Sequence, residues 1–355
     1  MPPVAAELSA RAAALSPPHA HGAPRVQADL RVVPEDFCVE EDLGFEPAGS
    51  GSHLLLKVRK VNANTQWVAR ELARLAGCHV TEVGYAGLKD RRAVAVQWFS
   101  VPRPRVARDW GAVQEAQFSV LTAHPHTRKL PRGALAGNRF VIRLRAPDGR
   151  GAALQAALAA PLEAIGREGV PNYFGPQRFG RDGANLERIG ADLSRLKSPE
   201  RGFVLSAARA VVFNAVLAAR VTAASWQRLL PGDLANLDGR GSIFAVEHPD
   251  ATLERRCRDL QIHPTGPLWG AGASQAQGAV AQLEEHTAAA YPAECRACTA
   301  ARMRQERRSL RLAVRELRVE AEPQALVLHF RLTRGSFATA VLRELIGAPG
   351  ELPEG

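Results

Sequence analysis

Apolar and polar positions alternate over several segments in the first part of the chain, which is the pattern of half-buried β-strands. The segment HLLLKVRKV (53–61) alternates in this way, and GNRFVIRLRAP (137–147) sets apolar residues against arginines. Between them, residues 62–77 change to helical spacing, with Asn64 suited to cap the start of the helix and Gly77 to end it. The pattern therefore predicts antiparallel strands with a helix packed on them, an α+β sheet domain.

The pattern becomes mostly helical after about residue 147. A first helical segment is expected to break at Pro161, and LSAARAVVFNAVLAARV (205–221) predicts a strong helix capped by Ser206. Strand-like alternation returns at 324–337, and residues 337–347 are typical of a closing helix. The simplest assembly is one sheet domain made from both ends of the chain, interrupted by a mostly helical insertion.

Composition and charge narrow the class of protein. With 355 residues, 46% of them hydrophobic and 23% charged, the chain can bury a substantial core. Its net charge of +10 favours a polyanionic partner, with nucleic acid the first candidate, although a solubilising surface would give the same excess. No run of 18 uncharged apolar residues or secretory pattern stands out, so we expect a cytoplasmic protein without a membrane span.

Several kinds of catalytic site find no support in the motifs. The sequence lacks a P-loop, a GxGxxG fingerprint after a strand, an HExxH pair and a GxSxG elbow. Its five cysteines are scattered, and CRAC (295–298) is a single CxxC without a second pair at zinc-finger spacing. We therefore expect neither a metal site nor a cofactor.

One carboxylate stands among cations in GYAGLKDRRAVAVQWFS (84–100). Asp90 is flanked by Lys89, Arg91 and Arg92 on a turn that glycines permit, so it should stay ionised at neutral pH. A nucleophilic carboxylate needs to be ionised, exposed and held still, and this turn is suited to that demand. A salt-bridged surface turn without catalytic function explains the same residues.

Aromatic residues lie close to arginines in several segments, which suits contacts with RNA phosphates and stacking on an unstacked base. Phe140 in GNRFVIRLR and Phe337 in RGSFATAVLR are examples. Ordinary packing in a sheet or helix core explains these phenylalanines equally well.

The segment around Asp90 closely resembles the signature around the catalytic aspartate of the tRNA pseudouridine synthase D (TruD) family. Further blocks that resemble this family follow in the family's order and span roughly residues 29–346. They are PEDFCVEEDLGF (34–45), KLPRGALAGNRF (129–140), PNYFGPQRFG (171–180), LSAARAVVFNAV (205–216), LPGDLANLDGRGSIF (230–244) and RGSFATAVLREL (334–345). Several collinear blocks are far more specific than any one motif.

The resemblance implies isomerisation of uridine to pseudouridine at position 13 of tRNA, without cofactor or metal. It implies a pseudouridine synthase fold with a mixed, largely antiparallel sheet flanked by helices, plus a mostly helical α+β insertion domain. The corresponding organisation is catalytic segments at 29–170 and 316–355 and an insertion at 171–315. From its own composition, the segment at 1–28 is expected to be a poorly ordered extension or a short helix. We expect a monomer with tRNA as its partner; a tRNA-binding or chaperone-like module without catalysis is the alternative.

The resemblance also implies roles for individual residues. Asp90 corresponds to the catalytic aspartate, and Phe140 to the aromatic expected to stack on the target base. Residues corresponding to the uridine-binding positions are Phe37, Asn138 and Phe337. Where the family commonly has lysine before PEDF, this chain has Arg31, which changes a point-like ammonium into a planar fork. Arg31 and Lys89 are therefore both candidate partners of Asp90.

Overall fold

The computed structural model describes residues 10–104, 106–147, 149–190 and 193–347. Its internal contacts divide the described chain into two compact units. The sheet unit lies within Arg25–Ala159, Val314–Ser336 and Ile346–Gly355, and the central unit lies within Met1–Pro24, Ala160–Ala313 and Phe337–Leu345.

The strands are β1 (Phe37–Asp42), β2 (His53–Val61), β3 (Gly84–Tyr85), β4 (Val94–Pro102), β5 (Phe118–His126), β6 (Gly137–Arg145), β7 (Val170–Pro171), β8 (Asp233–Leu237), β9 (Ile243–Val246), β10 (Ile262–Leu268), β11 (Glu306–Ser309), β12 (Arg311–Leu312), β13 (Arg315–Glu322) and β14 (Ala325–Thr333). The helices are α1 (Thr65–Ala76), α2 (Gly151–Glu168), α3 (Ala184–Glu187), α4 (Glu200–Thr222), α5 (Ala251–Arg258), α6 (Gly278–Ala288), α7 (Pro292–Ala300) and α8 (Ala338–Leu345).

An eight-stranded sheet organises the sheet unit. Its order is β13-β14-β6-β1-β4-β2-β5, and the short β3 pairs with β4. β1 and β4 run parallel, whereas the other neighbours are antiparallel. The late strands β13 and β14 complete a sheet whose other strands all precede residue 146. The predicted mixed, largely antiparallel α+β sheet is confirmed.

Helix α1 packs on this sheet and has the predicted ends. The Asn64 side chain accepts a hydrogen bond from the Gln66 main-chain nitrogen at 2.8 Å, and Gly77 ends the helix in the left-handed conformation with φ 67°. Val68 and Leu72 are fully buried in a shared core with Phe99 of β4. The apolar stripe of α1 therefore fixes this helix on one face of the sheet.

The central unit is built around helix α4, whose buried side chains extend over most of its length. A four-stranded sheet in the order β11-β10-β8-β9 and a small pair of β7 with β12 accompany it. Arg220 of α4 and Asp233 form a buried ion pair with a nitrogen–oxygen distance of 2.9 Å. The unit is therefore held by polar as well as apolar contacts.

Helix α4 is also long and apolar enough to cross a membrane, judged by length and composition alone, within the part of the chain that the structure describes. However, 61% of its most apolar window is buried inside the protein. A buried core helix satisfies the same criteria, so this finding is weak evidence for a membrane span.

Two local expectations about the helices are wrong. Helix α2 continues through Pro161, because a proline removes one backbone hydrogen bond and need not end a helix. Helix α4 begins at Glu200, so Ser206 lies inside it and cannot cap it. The Ser206 hydroxyl instead accepts a hydrogen bond from Arg178 at 3.0 Å.

The N-terminal segment is described from residue 10, and residues 10–15 are helical. Ala14 is buried, the Tyr291 hydroxyl donates a hydrogen bond to the Ala10 oxygen at 2.8 Å, and the Ala20 nitrogen donates to Glu344 at 2.8 Å. The described part of this segment therefore contacts other parts of the central unit, and the predicted extension at 1–28 stays a prediction. The predicted domain boundaries at 171 and 315 stay predictions.

Candidate active site

One face of the large sheet carries three of the side chains singled out from the sequence, those of Phe37, Asn138 and Phe140. Lys60, Ala95, Val39 and Phe140 stand opposite one another across β2, β4, β1 and β6, and opposed residues share a face. Residues two positions away along each strand point to the same side. The polar and aromatic side chains on this face include those of Phe37, Glu41, Lys60, Gln97, Asn138 and Phe140.

The loop at 86–92, which carries Asp90, is held from this face by buried side chains. Gln97 donates a hydrogen bond to the Gly87 oxygen at 2.6 Å, and the Thr65 hydroxyl accepts one from the Lys89 nitrogen at 3.1 Å. Thr65 in turn donates to Gln97 at 3.0 Å, and both residues are almost fully buried. The main chain before Asp90 is therefore fixed at two points.

Lys60 holds the same loop at a third point. Its ammonium donates hydrogen bonds to the main-chain oxygens of Ala63 at 2.7 Å and Asp90 at 2.9 Å, and the residue has no exposed surface. Burial lowers the pKa of Lys60 to about 8, although the nearby Asp90 charge acts in the opposite direction. The buried amine of Lys60 therefore holds the Asp90 backbone through a hydrogen bond.

The Asp90 carboxylate itself points outward, with 46% of its side chain exposed. Arg31 Nη2 donates to Asp90 Oδ2 at 2.8 Å, and the Arg31 guanidinium lies 4.2 Å from the centre of the Phe37 ring. Arg31 adopts φ 55°, a left-handed conformation that is uncommon for a residue other than glycine and recurs at functional sites. This arrangement holds one carboxylate oxygen while the side chain stays accessible.

Of the two candidate partners of Asp90, the structure places Arg31 in contact with its carboxylate. Lys89 instead donates to Glu41 Oε1 at 2.6 Å, in a pair whose side chains are 9% and 0% exposed. The other oxygen of Glu41 accepts a hydrogen bond from the Trp98 nitrogen at 2.9 Å. Lys89 therefore anchors the loop to β1.

Two of the three predicted substrate-binding aromatic residues, Phe37 and Phe140, meet on the sheet face. The rings of Phe37 and Phe140 are 6.1 Å apart and edge-on, and Phe140 stacks on Phe330 at 5.2 Å. Phe37 and Phe140 are only 4% and 7% exposed. The Phe140 ring is therefore mostly covered in this structure, so stacking on a base requires the ring to become accessible.

Asn138 lies opposite Glu41 on the neighbouring strand and is 8% exposed. Its amide oxygen is buried and has no hydrogen-bond partner among the described residues. A buried acceptor without a partner is costly for stability, and such atoms often mark a binding function.

Phe337 is the one predicted site residue that belongs to the central unit. It lies just before α8 and is 46% exposed. The other six, Arg31, Phe37, Lys89, Asp90, Asn138 and Phe140, belong to the sheet unit.

Sequence reasoning missed the polar residues that support the loop and its surroundings. The sequence did contain a signal that Lys60 is buried. Lys60 lies on the same face of its strand as Leu54, Leu56 and Val58, where alternation predicts inward-facing side chains. Asp36 had less signal in the sequence, because its partner Arg145 lies far along the chain. In the structure, Asp36 accepts two hydrogen bonds from Arg145, at 2.9 and 2.8 Å. Burial alone would raise the pKa of Asp36, but these bonds and others outweigh burial and lower it.

Comparison with known proteins shows which family the chain resembles. The model of the family tRNA pseudouridine synthase D (TruD) matches residues 18–201 and 193–345. The chain is 46% identical to a tRNA pseudouridine synthase D from Nitrosococcus oceani, over 91% of this chain and 91% of that protein. It is also 46% identical to one from Methylococcus capsulatus, over 93% and 94% of the two chains.

The chain belongs to the TruD family. A crystal structure of a candidate tRNA pseudouridine synthase D from Methanosarcina mazei superposes with a TM-score of 0.71. It covers 93% of this chain and 96% of its own at 20% identity, which supports the fold alone. The family, the fold class and the enzyme class that the TruD name states are confirmed as predicted. The roles of individual site residues stay predictions.

Proposed function

We propose that this TruD-family chain isomerises uridine to pseudouridine at position 13 of tRNA, with Asp90 as the catalytic carboxylate. The observation that carries this proposal is an accessible carboxylate on a rigidly supported loop. Asp90 is about half exposed, Arg31 contacts one of its oxygens, and Lys60 holds its main chain. A reactive carboxylate needs this combination of access and fixed position.

The chemistry explains why one carboxylate is enough. The bond between uracil N1 and ribose C1′ breaks, the detached ring turns, and C5 joins C1′. The proton on C5 leaves and N1 ends with a proton, so the isomerisation consumes no second substrate. Asp90 would attack C1′, stabilise positive charge developing there, or remove a sugar proton; all three routes use an ionised carboxylate.

The sheet face provides groups suited to the base. Uracil presents an N3–H donor between two carbonyl acceptors, and the unpartnered oxygen of Asn138 suits that donor. Phe37 and Phe140 offer aromatic surface beside it, and Phe337 is the further residue expected to contact the uridine. Because the target base must first leave its stack, the site would open around a flipped nucleotide.

The expected partner is tRNA. The chain has a net charge of +10, which favours binding to the phosphates of this polyanion. We propose that the enzyme acts as a monomer in the cytoplasm and needs neither cofactor nor metal. A binding module without catalysis is the competing function, since it would use the same basic surface.

The test is pseudouridine mapping in a tRNA transcript incubated with the purified protein. We expect pseudouridine at position 13 and no product from a matched transcript with cytidine there. Binding of both transcripts without product would favour the noncatalytic module. Pseudouridine at another position would reject the proposed target.

We also expect tRNA affinity to fall steeply with salt, because arginine and lysine contacts with phosphates release counterions. The dissociation constant should rise at least about tenfold between roughly 50 mM and 200 mM monovalent salt, as for proteins that contact several phosphates. Titrations of labelled tRNA at several salt concentrations measure the slope. An affinity independent of salt over this range would contradict a binding surface based on phosphates.

A further inference from the structure

Among the residues that the structure describes, no carboxylate contacts the ammonium of Lys60, which lies beneath the Asp90 loop. Lys60 is fully buried, and its two hydrogen bonds go to the main-chain oxygens of Ala63 and Asp90. Asn62, directly after β2, adopts φ 50°, and the oxygen of the next residue, Ala63, accepts one of these bonds. Lys60 therefore joins the end of β2 to the loop at 86–92.

Burying an ammonium between neutral carbonyls costs free energy unless a nearby negative charge compensates for the lost hydration. Three charged groups act on Lys60. The Asp90 and Glu41 carboxylates favour its charged form, and the Lys89 ammonium opposes it. Burial outweighs them, and the pKa of Lys60 falls to about 8. Lys60 can therefore lose its proton at mildly alkaline pH, where a surface lysine does not.

We propose that Lys60 is a positioning residue for catalysis: its ammonium fixes the Asp90 backbone and places a positive charge beneath the loop, so turnover requires its protonated form. This inference rests on the proposed function, because it assumes that Asp90 is catalytic.

The two protonation states of Lys60 should differ in catalysis more than in folding. A neutral amine still has two N–H groups for the carbonyls of Ala63 and Asp90, so the loop keeps its path. Hydrogen bonds from a charged donor are roughly twice as strong as those from a neutral one. Deprotonation therefore loosens the Asp90 loop without leaving its carbonyls unbonded.

The first test is the pH dependence of the single-turnover rate constant of the unmodified enzyme, between about pH 6.5 and pH 9. We expect the rate constant to fall roughly five- to tenfold through an ionisation near pH 8, with tRNA affinity changing little. A rate constant that stays level to the alkaline end of this range would overturn the proposal.

Lys60→Met separates this ionisation from ionisation of the tRNA. The variant should react roughly 10²-fold more slowly, bind tRNA normally and lack the fall near pH 8. The matched control is Lys57→Met on the same strand, whose ammonium pairs with Glu40 at 2.6 Å on the partly exposed side; it should keep the wild-type profile. A Lys60→Met profile that retains the alkaline fall would assign the ionisation to another group.

A direct measurement covers the case in which Lys60→Met does not fold. The chain has five lysines, so NMR of protein labelled at lysine Cε gives a small set of signals. We expect the Lys60 signal to titrate near pH 8 in the wild type and lower in Asp90→Asn, because the Asp90 charge favours the ammonium. An ordinary lysine titration, or one that Asp90→Asn leaves unchanged, would reject the electrostatic link.

The pH dependence of folding stability gives an independent check on the ionisation of Lys60. The pKa of Lys60 in the folded protein lies below the ordinary lysine value of 10.5, so unfolded chains bind more protons between about pH 8 and 10.5. The contribution of Lys60 to stability therefore rises with pH across this window, while activity should fall. Parallel loss of both would instead indicate alkaline unfolding.

The outcomes distinguish this inference from the proposed function. Absence of pseudouridine with wild-type enzyme, or full activity of Asp90→Asn, would refute the function or its catalytic residue. An inactive Asp90→Asn together with a fully active Lys60→Met would refute only the positioning function of Lys60.

Discussion

Asp90→Asn should reduce pseudouridine formation at least about 10³-fold, the scale of losses seen when a residue that acts in the transition state is removed. The amide has nearly the same shape, and its oxygen can still accept a hydrogen bond from Arg31. It carries no negative charge, so it can neither attack C1′ effectively nor stabilise positive charge there. Single-turnover rates measured with saturating enzyme give the loss in the chemical step.

Binding of tRNA should change less than about threefold in Asp90→Asn, because phosphate contacts dominate the affinity. Asp109→Asn is the matched control. Asp109 is another exposed carboxylate in a turn of the sheet unit, where it accepts a hydrogen bond from the Gly111 nitrogen at 2.9 Å. Turnover of Asp90→Asn at the wild-type rate would remove Asp90 from catalysis, whereas an equal loss in both variants would indicate a nonspecific defect.

The parts of the fold that the sequence predicts well depend on local signals. Helix α1 follows from its cap at Asn64, its apolar spacing and the glycine after it, all within 14 residues of one another. The alternation in β6 likewise identifies Phe140 as buried and Arg139 as exposed without knowledge of the partner strands. Such signals act before long-range contacts form, so they can be recognised in the chain itself.

The choice between Arg31 and Lys89 could not be predicted in this way. It depends on β1 lying beside β4, which brings Glu41 within reach of Lys89 and leaves Asp90 to Arg31. The collinear family blocks identify Asp90 as the candidate catalyst, but they contain no information on which cation contacts it. Pairing across strands is a property of tertiary structure, so the local sequence does not determine the side-chain partners in this site.

The support beneath the loop escaped prediction for a related reason. Thr65 and Gln97 look like ordinary residues of a helix start and a strand, and only their burial makes them a connection to Gly87 and Lys89. The contacts of Ala10 and Ala20 could not be predicted because their partners, Tyr291 and Glu344, lie hundreds of residues away. Local composition cannot reveal contacts over such separations.

Glu41→Ala should cost about 3–5 kcal/mol of the free energy of unfolding, because it leaves a buried charge without its partner. Glu41 accepts a hydrogen bond from Lys89 at 2.6 Å and another from the Trp98 nitrogen at 2.9 Å. Its side chain has no exposed surface, and that of Lys89 is 9% exposed. Equilibrium unfolding in urea measures the loss.

The neighbouring residue is the control, because Glu40 pairs with Lys57 at the same distance of 2.6 Å. Those side chains are 47% and 28% exposed, so Glu40→Ala should cost less than about 1 kcal/mol. Equal losses in Glu41→Ala and Glu40→Ala would show that burial does not set the value of the Glu41–Lys89 pair.

The double variant Glu41→Leu with Lys89→Met removes both charges together. Apolar groups of similar size can replace a buried ion pair at little cost, so this variant should recover most of the stability that Glu41→Ala loses. Its activity then separates two functions of Lys89. Near wild-type turnover would mean that Lys89 acts only by anchoring the loop to β1. A stable but slow enzyme would mean that the charges of the Glu41–Lys89 pair, which also act on Lys60, contribute to catalysis as well.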